Sequence, residues 1–260
     1  LGQVNVTYDP IQSRPYRVAS SFVFENIDPL LFSKKSYSKF PVKGFFDGQL
    51  KFAGSGHSPE EAIEDFEGDL TITGRNGVFT AFELDSRSQL GLIGAGILGQ
   101  SLNRPGMTAM AQAIPYFKDM KFESFTLQLV RGKDKQVRIP ELKLMGDNLC
   151  INGHGAIAAG NLGEILDHPL YLTLGLGAKG RLVDHLETLQ LLGTKTSEDG
   201  FRNWNQDIEI RGSLGDPDTS ALKGLLNNAA RRALDKPGKG EAAGTPTPPA
   251  QDGVVPSGQN

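Results

Sequence analysis

The chain has 260 residues, 38% of them hydrophobic, with 32 glycines and a formal net charge of -3 at pH 7. This length supports a buried core in one large β domain or two smaller ones, and the near-neutral charge gives no electrostatic basis for binding nucleic acid. The single cysteine, Cys150, excludes an intrachain disulfide and a multi-cysteine metal site.

Alternating apolar and polar residues predict β-strands along most of the chain, each with one face buried and the other in water. In chain order the predicted strands lie at residues 4–8, 16–24, 46–52, 70–72, 78–84, 125–129, 137–144, 149–157, 170–176 and 208–214. Asn76-Gly77 predicts a tight hairpin between the fourth and fifth strands, because both residue types tolerate positive φ. Pro140 predicts a bulge or an edge position, with Leu142 and Leu144 continuing in shifted phase.

Three short helices are predicted between and after these strands. The first begins at Ser58, which can cap free N–H groups, with Pro59 in the first turn and Glu61 completing a capping box. Apolar residues at helical spacing predict the second helix over Arg181–Leu192 and the last over about Ser220–Leu234.

The fold class predicted from this order is mainly β with a few helices (α+β). We expect a curved, mostly antiparallel β-sheet or groove over residues 1–235, with short helices and a C-terminal helix. Residues 89–119, rich in Gly, Ala and Met, predict a helical segment joining two possible halves, 1–88 and 120–235. Residues 236–260 have almost nothing to bury and are predicted to be disordered.

One segment matches a nucleotide-binding motif. Gly94 to Gly99 fit the dinucleotide-binding fingerprint letter for letter. Pro105 would interrupt the required helix, and the preceding residues predict hairpins instead of a βαβ unit. We therefore interpret the segment as a Gly/Ala-rich amphipathic stretch, with a nucleotide-dependent enzyme as the competing hypothesis. Because the four histidines lack metal-ligand spacing and no serine stands in a nucleophile elbow, we predict no catalytic residue, metal or cofactor.

The apolar strand faces are the remaining candidate for function. They would pack against helices or a second sheet, or form an open or curled sheet whose concave face accommodates acyl chains; the pattern alone favours packing. The candidate groove residues are Phe125, Leu127, Leu129, Leu149, Ile151, Leu170, Leu172, Leu174 and Leu176.

Several glycine-framed segments, in order, resemble the C-terminal region of the AsmA family. In that family a G-x-L-x-x-x-G-x-G segment is followed by a short helix, an x-G-x-L strand and an N/D-G-x-hydrophobic turn. The resemblance covers roughly residues 15–232. The segments that carry it are Phe45–Gly56, Ser58–Phe66, Glu67–Thr73, Asn76–Val78, Phe122–Leu129, Leu142–Gly146, Leu149–Gly155 and Ile210–Leu214.

This resemblance implies a non-enzymatic, periplasmic protein of the Gram-negative envelope. Such proteins are usually anchored in the inner membrane by an N-terminal helix and are associated with phospholipid movement towards the outer membrane along apolar β-grooves. The chain enters a strand pattern at Leu1, so we expect a piece of a longer protein with any anchor upstream. The alternative is a structural or assembly module for outer-membrane biogenesis that contacts envelope proteins.

Overall fold

An open, curved, antiparallel β-sheet of 12 strands forms the centre of the structure, a computed structural model that describes residues 1–28, 42–80 and 104–235. The sheet is accompanied by four short α-helices within the described residues. The prediction of a mainly β α+β fold built on a curved antiparallel sheet is confirmed.

The bounds of the elements follow the chain. The strands are β1 (Gly2–Tyr8), β2 (Tyr16–Ile27), β3 (Val42–Gly56), β4 (Glu67–Thr80), β5 (Asp119–Arg131), β6 (Val137–Met145), β7 (Leu149–Ile157), β8 (Leu170–Ala178), β9 (Leu192–Thr196), β10 (Arg202–Trp204), β11 (Ile208–Gly212) and β12 (Pro217–Asp218). The helices are α1 (Pro59–Glu64), α2 (Pro105–Lys118), α3 (Arg181–Thr188) and α4 (Ser220–Asp235), with a 3-10 turn at Leu162–Asp167.

The sheet is a meander in which each strand from β1 to β8 pairs with its neighbour in the chain. After β8 the order changes, because both β10 and β11 pair with that strand and β9 pairs with β10. Strands β4 and β5 are adjacent along their length, from Gly68 opposite Arg131 to Thr80 opposite Asp119. The two predicted halves, 1–88 and 120–235, therefore contribute to a single sheet.

Strand register brings apolar side chains into rows on one face, which we call the inner face. Phe22 lies opposite Leu50, Leu50 opposite Leu70, and Leu70 opposite Leu129. Successive side chains of a strand alternate between faces, so Lys51 and the residues opposite it, Ser21 and Asp69, point to the other, outer face. The inner face is apolar over most of the sheet.

Helices cover one part of this face. Helix α2 contacts α3, α4 and β5, and α4 contacts β11. Ala109 and Ala113 of α2 are buried in the same hydrophobic core as Leu182 of α3 and Ala229 of α4. The alanines at three of these positions let the helices approach closely, so the core lies between the helices and the C-terminal strands.

The predicted hairpin at Asn76-Gly77 is wrong. Strand β4 runs through both residues without turning, and Asn76 has a φ of 50°. The pairing of β3 with β4 shifts at this point, between Lys43 and Phe45. The positive φ that Asn tolerates therefore serves a β-bulge inside one long strand instead of a turn between two.

The predicted irregularity at Pro140 is confirmed. The register between β6 and β7 shifts between Ile139, opposite Gly155, and Leu142, opposite Gly153. Proline has no N–H to donate to the β-ladder, and at a bulge this N–H is not needed for an interstrand hydrogen bond. It returns Leu142 and Leu144 to the inner face.

The helix predicted from Ser58 is confirmed, with one difference in its cap. The Ser58 side chain accepts from the N–H of Glu61 at 3.2 Å, and Pro59 occupies the first turn. The Glu61 carboxylate, however, accepts from the backbone N–H of His57 at 2.7 Å, one residue before the position that a capping box uses.

Of the other two predicted helices, α4 has nearly the expected bounds, Ser220–Asp235, whereas α3 ends early. Helix α3 starts at Arg181 as expected but ends at Thr188, because Gln190 adopts a φ of 58° and turns the chain into β9. Strands β9 and β10 have no strong alternation and were not predicted. Segments 29–41, 81–103 and 236–260, which include the Gly94–Gly99 motif and the predicted tail, lie outside the described residues.

Candidate functional site

The candidate groove residues separate into two groups by burial, all on the inner face. Leu127, Leu129, Leu172 and Leu174 are partly buried. The others lie inside the core that the helices help to form and leave at most 9% of their surface exposed: Leu149, Ile151, Leu170 and Leu176. Phe125, partly buried, lines a cavity described below. A ligand on the inner face therefore has access to the partly buried group.

An apolar cavity of about 510 Å³ opens on the inner face of strands β2 to β6. Its volume falls in the range of roughly 300–1,000 Å³ typical of small-molecule sites. Only apolar side chains line it: Phe24, Ile27, Val42, Phe46, Ile72, Phe79, Phe122, Phe125 and Leu144. An apolar ligand would fit this lining, whereas a polar one would lose its hydrogen bonds to water without replacement.

An aromatic cluster forms one wall of the cavity. The rings of Phe46 and Phe125 meet edge to face with centroids 5.8 Å apart, and Phe122 lies 6.1 Å from Phe46 and 6.0 Å from Phe125. Such arrangements are favourable for aromatic pairs. Phe122 and Phe125 both line the cavity although they are three positions apart on β5, a spacing at which regular alternation would place them on opposite faces.

Glycines on neighbouring strands make room for these rings. A Cβ on Gly48 would lie 2.1 Å from the ring of Phe24, and one on Gly77 would lie 2.1 Å from the ring of Phe122. Each phenylalanine thus lies over a strand position without a side chain, which favours strong local curvature of the sheet. The depth of the cavity follows from this alternation of large and absent side chains.

Arg131 is the one charged residue among the buried side chains of the described chain, at 5% exposure on the inner face. It donates from Nη1 to the carbonyl oxygen of Phe66 at 2.6 Å, and its guanidinium lies 4.5 Å from the centre of the Phe66 ring. Burial lowers its pKa from the ordinary value. These contacts join β5 to the segment after α1 at the end of the sheet away from the cavity.

A network of ion pairs lies beside this end of the sheet. Asp65 pairs with Lys135, with 2.6 Å between Nζ and Oδ1, and with Arg14. Arg14 also contacts Glu61 at 3.0 Å. Hydrogen bonds from Lys135 and then from Arg14 lower the pKa of Asp65 to about 2. The network connects the β1–β2 turn, α1 and the β5–β6 turn, and it is structural in character.

Side chains suited to metal binding do not gather in the part of the chain that the structure describes. No group of three or more His, Cys, Asp or Glu residues there is arranged to hold a metal ion. Cys150 is buried, and burial raises the pKa of its thiol to about 11. A thiol with this pKa is almost entirely protonated near neutral pH and is a poor nucleophile.

Sequence reasoning found the inner-face strands but missed the cavity. Its nine lining residues come from the five strands β2 to β6, and only Phe125 was among the candidates. Phe24 and Phe46 stand in the predicted alternating strands 16–24 and 46–52, which was the available signal. Their convergence depends on the pairing of β2 with β3 and on the bulge at Asn76, and neither register could be read from periodicity.

Comparisons of this chain with protein-family models, curated proteins and solved structures give no match. Within the described residues, none of the helices has the length and apolar character needed to cross a membrane.

Proposed function

We propose that this protein is a non-enzymatic, AsmA-like domain of the bacterial envelope that takes part in outer-membrane lipid homeostasis or phospholipid transfer. Acyl chains would lie against the inner face while their headgroups stay in water. The observation that carries the proposal is the cavity of about 510 Å³ with an entirely apolar lining, continuous with partly buried inner-face leucines. The family resemblance of residues 15–232 supports the periplasmic location and inner-membrane anchoring that complete the proposal.

The energetics favour an acyl chain as the occupant. Each methylene removed from water contributes roughly 0.8 kcal/mol. Burying about ten methylenes would contribute on the order of 8 kcal/mol before the cost of ordering the chain. The cavity has no polar lining residue that would hold a specific headgroup, so the binding would depend mainly on the chain and not on the lipid class.

The test uses native mass spectrometry of protein purified under mild conditions. We expect bound phospholipid in the wild type and at least a tenfold loss of occupancy in Leu127→Asp, because a carboxylate on the inner face would have to be desolvated against acyl chains. Leu127 lies opposite Ile72 and Leu142 in the middle of the apolar rows.

The matched control is Thr126→Asp, on the same strand but on the outer face, opposite Thr73 and Lys143. This variant should retain wild-type lipid occupancy. Both variants would be checked for folding by circular dichroism. Absence of lipid from the folded wild type, combined with no uptake from phosphatidylethanolamine vesicles, would contradict the proposal.

A second candidate function, a structural module that contacts envelope proteins, is favoured by a different observation. Strand β1 forms an edge of the sheet, and all seven of its residues are exposed. A protein partner at this edge would be insensitive to Leu127→Asp. Pull-down of envelope proteins by wild type and by Leu127→Asp alike, without lipid in either sample, would favour this module over lipid transfer.

A further inference from the structure

Strand β1 lies at one edge of the sheet that the structure describes. Among the described strands it pairs only with β2. The residues directly before and after β1, Leu1 and Asp9, both bond to the chain of β2. Leu1 and Val23 exchange two backbone hydrogen bonds of 2.8 Å, and the N–H of Asp9 donates to the carbonyl oxygen of Pro15 at 2.9 Å. Bonded and non-bonded pairs alternate in an antiparallel ladder. The N–H and C=O groups of Gly2, Val4, Val6 and Tyr8 therefore point away from β2.

This edge has none of the features that commonly prevent strand addition. Charged residues, proline and bulges protect most edge strands, yet β1 reads Gly-Gln-Val-Asn-Val-Thr-Tyr and keeps an unbroken register with β2. Its apolar side chains are also open to solvent, with Val4 53%, Val6 59% and Tyr8 60% exposed. Both the backbone groups and the side chains of β1 are thus available to a second strand.

The sequence of β1 is complementary to itself in one antiparallel register. With Val4 opposite Val6 of a second copy, all four outward-facing residues pair with one another. Gly2 then lies opposite Tyr8, whose ring would meet the Phe22 ring that lies over Gly2. On the other face Asn5 meets Asn5. Because β1 has no charged side chain, this register opposes no like charges within the strand.

We propose that two copies of this chain pair through β1 to form a symmetric dimer. The two-fold axis of an antiparallel strand pair is perpendicular to the sheet, so both inner faces would lie on the same side. The apolar surface would then continue from one copy to the other through Val4 and Val6. The dimer does not depend on lipid binding, and the two proposals can fail separately.

The test measures the mass of the lipid-free chain by analytical ultracentrifugation over a range of concentrations. The monomer has a mass of 28.0 kDa, and we expect the wild type to sediment at twice that value. Val6→Pro removes an outward-facing N–H without removing a bond to β2. Because the symmetric dimer loses one such bond from each copy, its dissociation constant should rise at least about tenfold.

The control is Val6→Ala, which keeps the N–H and should remain dimeric. Hydrogen exchange provides a second measurement: the amides of Val4 and Val6 should be protected in the wild type and become unprotected on dilution below the dissociation constant. A wild type that remains monomeric at about 100 μM would overturn the proposal. So would a dimer that Val6→Pro leaves unchanged or in which the Val4 amide exchanges freely.

Discussion

At the scale of single residues, Asp65 stabilises the join between α1 and its neighbours by charge. Its carboxylate accepts from Lys135 and Arg14, which come from two different turns. Because these cations favour the ionised form, the pKa in the folded protein is about 2, against an ordinary value of 3.8. A lowered pKa means that the contribution is present above about pH 4 and is lost as the pH falls towards 2.

We therefore expect Asp65→Asn to be less stable than the wild type at pH 7, with a difference that shrinks as the pH falls from about 4 to 2. Thermal unfolding followed by circular dichroism across this range would measure it. Glu64→Gln, a change to an exposed neighbouring carboxylate, serves as the control. A difference between wild type and Asp65→Asn that is constant over this pH range would show that the network contributes nothing by charge.

At the scale of elements, α1 rests directly on strand β3. A Cβ on Gly54 would lie 1.9 Å from the carbonyl oxygen of Ala62, which is completely buried. Because that oxygen belongs to the backbone, the helix itself would have to move. The close approach of α1 thus depends on one strand position without a side chain.

Gly54→Ala should lower the free energy of unfolding by about 1–3 kcal/mol through overpacking. Gly224→Ala, within α4, should raise it by up to about 1 kcal/mol, since no atom lies within 4 Å of the added Cβ. Urea denaturation of both variants would measure the two shifts. Equal behaviour of the two variants would mean that the contact with Ala62 does not decide the outcome at Gly54.

Some features of these elements could be predicted from the sequence and others could not. The capped start of α1 and the bulge at Pro140 were predictable because each has a local cause: a capping side chain in one case and a missing N–H in the other. Asn76-Gly77 has the same local preference in a turn and in a bulge, and only the length of the partner strands decides between them. Strand β10 is held by pairing with β8, and β9 by pairing with β10, which no local pattern encodes.

In the candidate site, too, the features with a local cause could be predicted and those fixed by distant residues could not. The sequence indicated which leucines share a face, since alternation fixes the side to which each points. It could not distinguish the accessible Leu127 from the buried Leu149, because the helices that bury part of the face come from distant residues such as those of α2 and α4. Burial is a property of the assembled molecule.

At the scale of the whole molecule, a single sheet joins both halves of the chain. The long ladder between β4 and β5 connects residues on either side of the segment 81–118. We expect one cooperative unfolding transition, with equal calorimetric and van't Hoff enthalpies, because neither half can lose its strands without exposing the edge of the other. Two resolved calorimetric transitions would contradict this expectation.

The contact between Phe117 and Trp204 has a spectroscopic consequence. Trp204 is the only tryptophan of the chain, is 6% exposed, and meets the Phe117 ring edge to face at 5.6 Å. Its fluorescence therefore reports the docking of α2 on β10 and is nearly insensitive to structural changes at β1 or in the phenylalanine-lined cavity. An emission change that precedes the loss of β ellipticity would identify detachment of the helical layer as a separate early step.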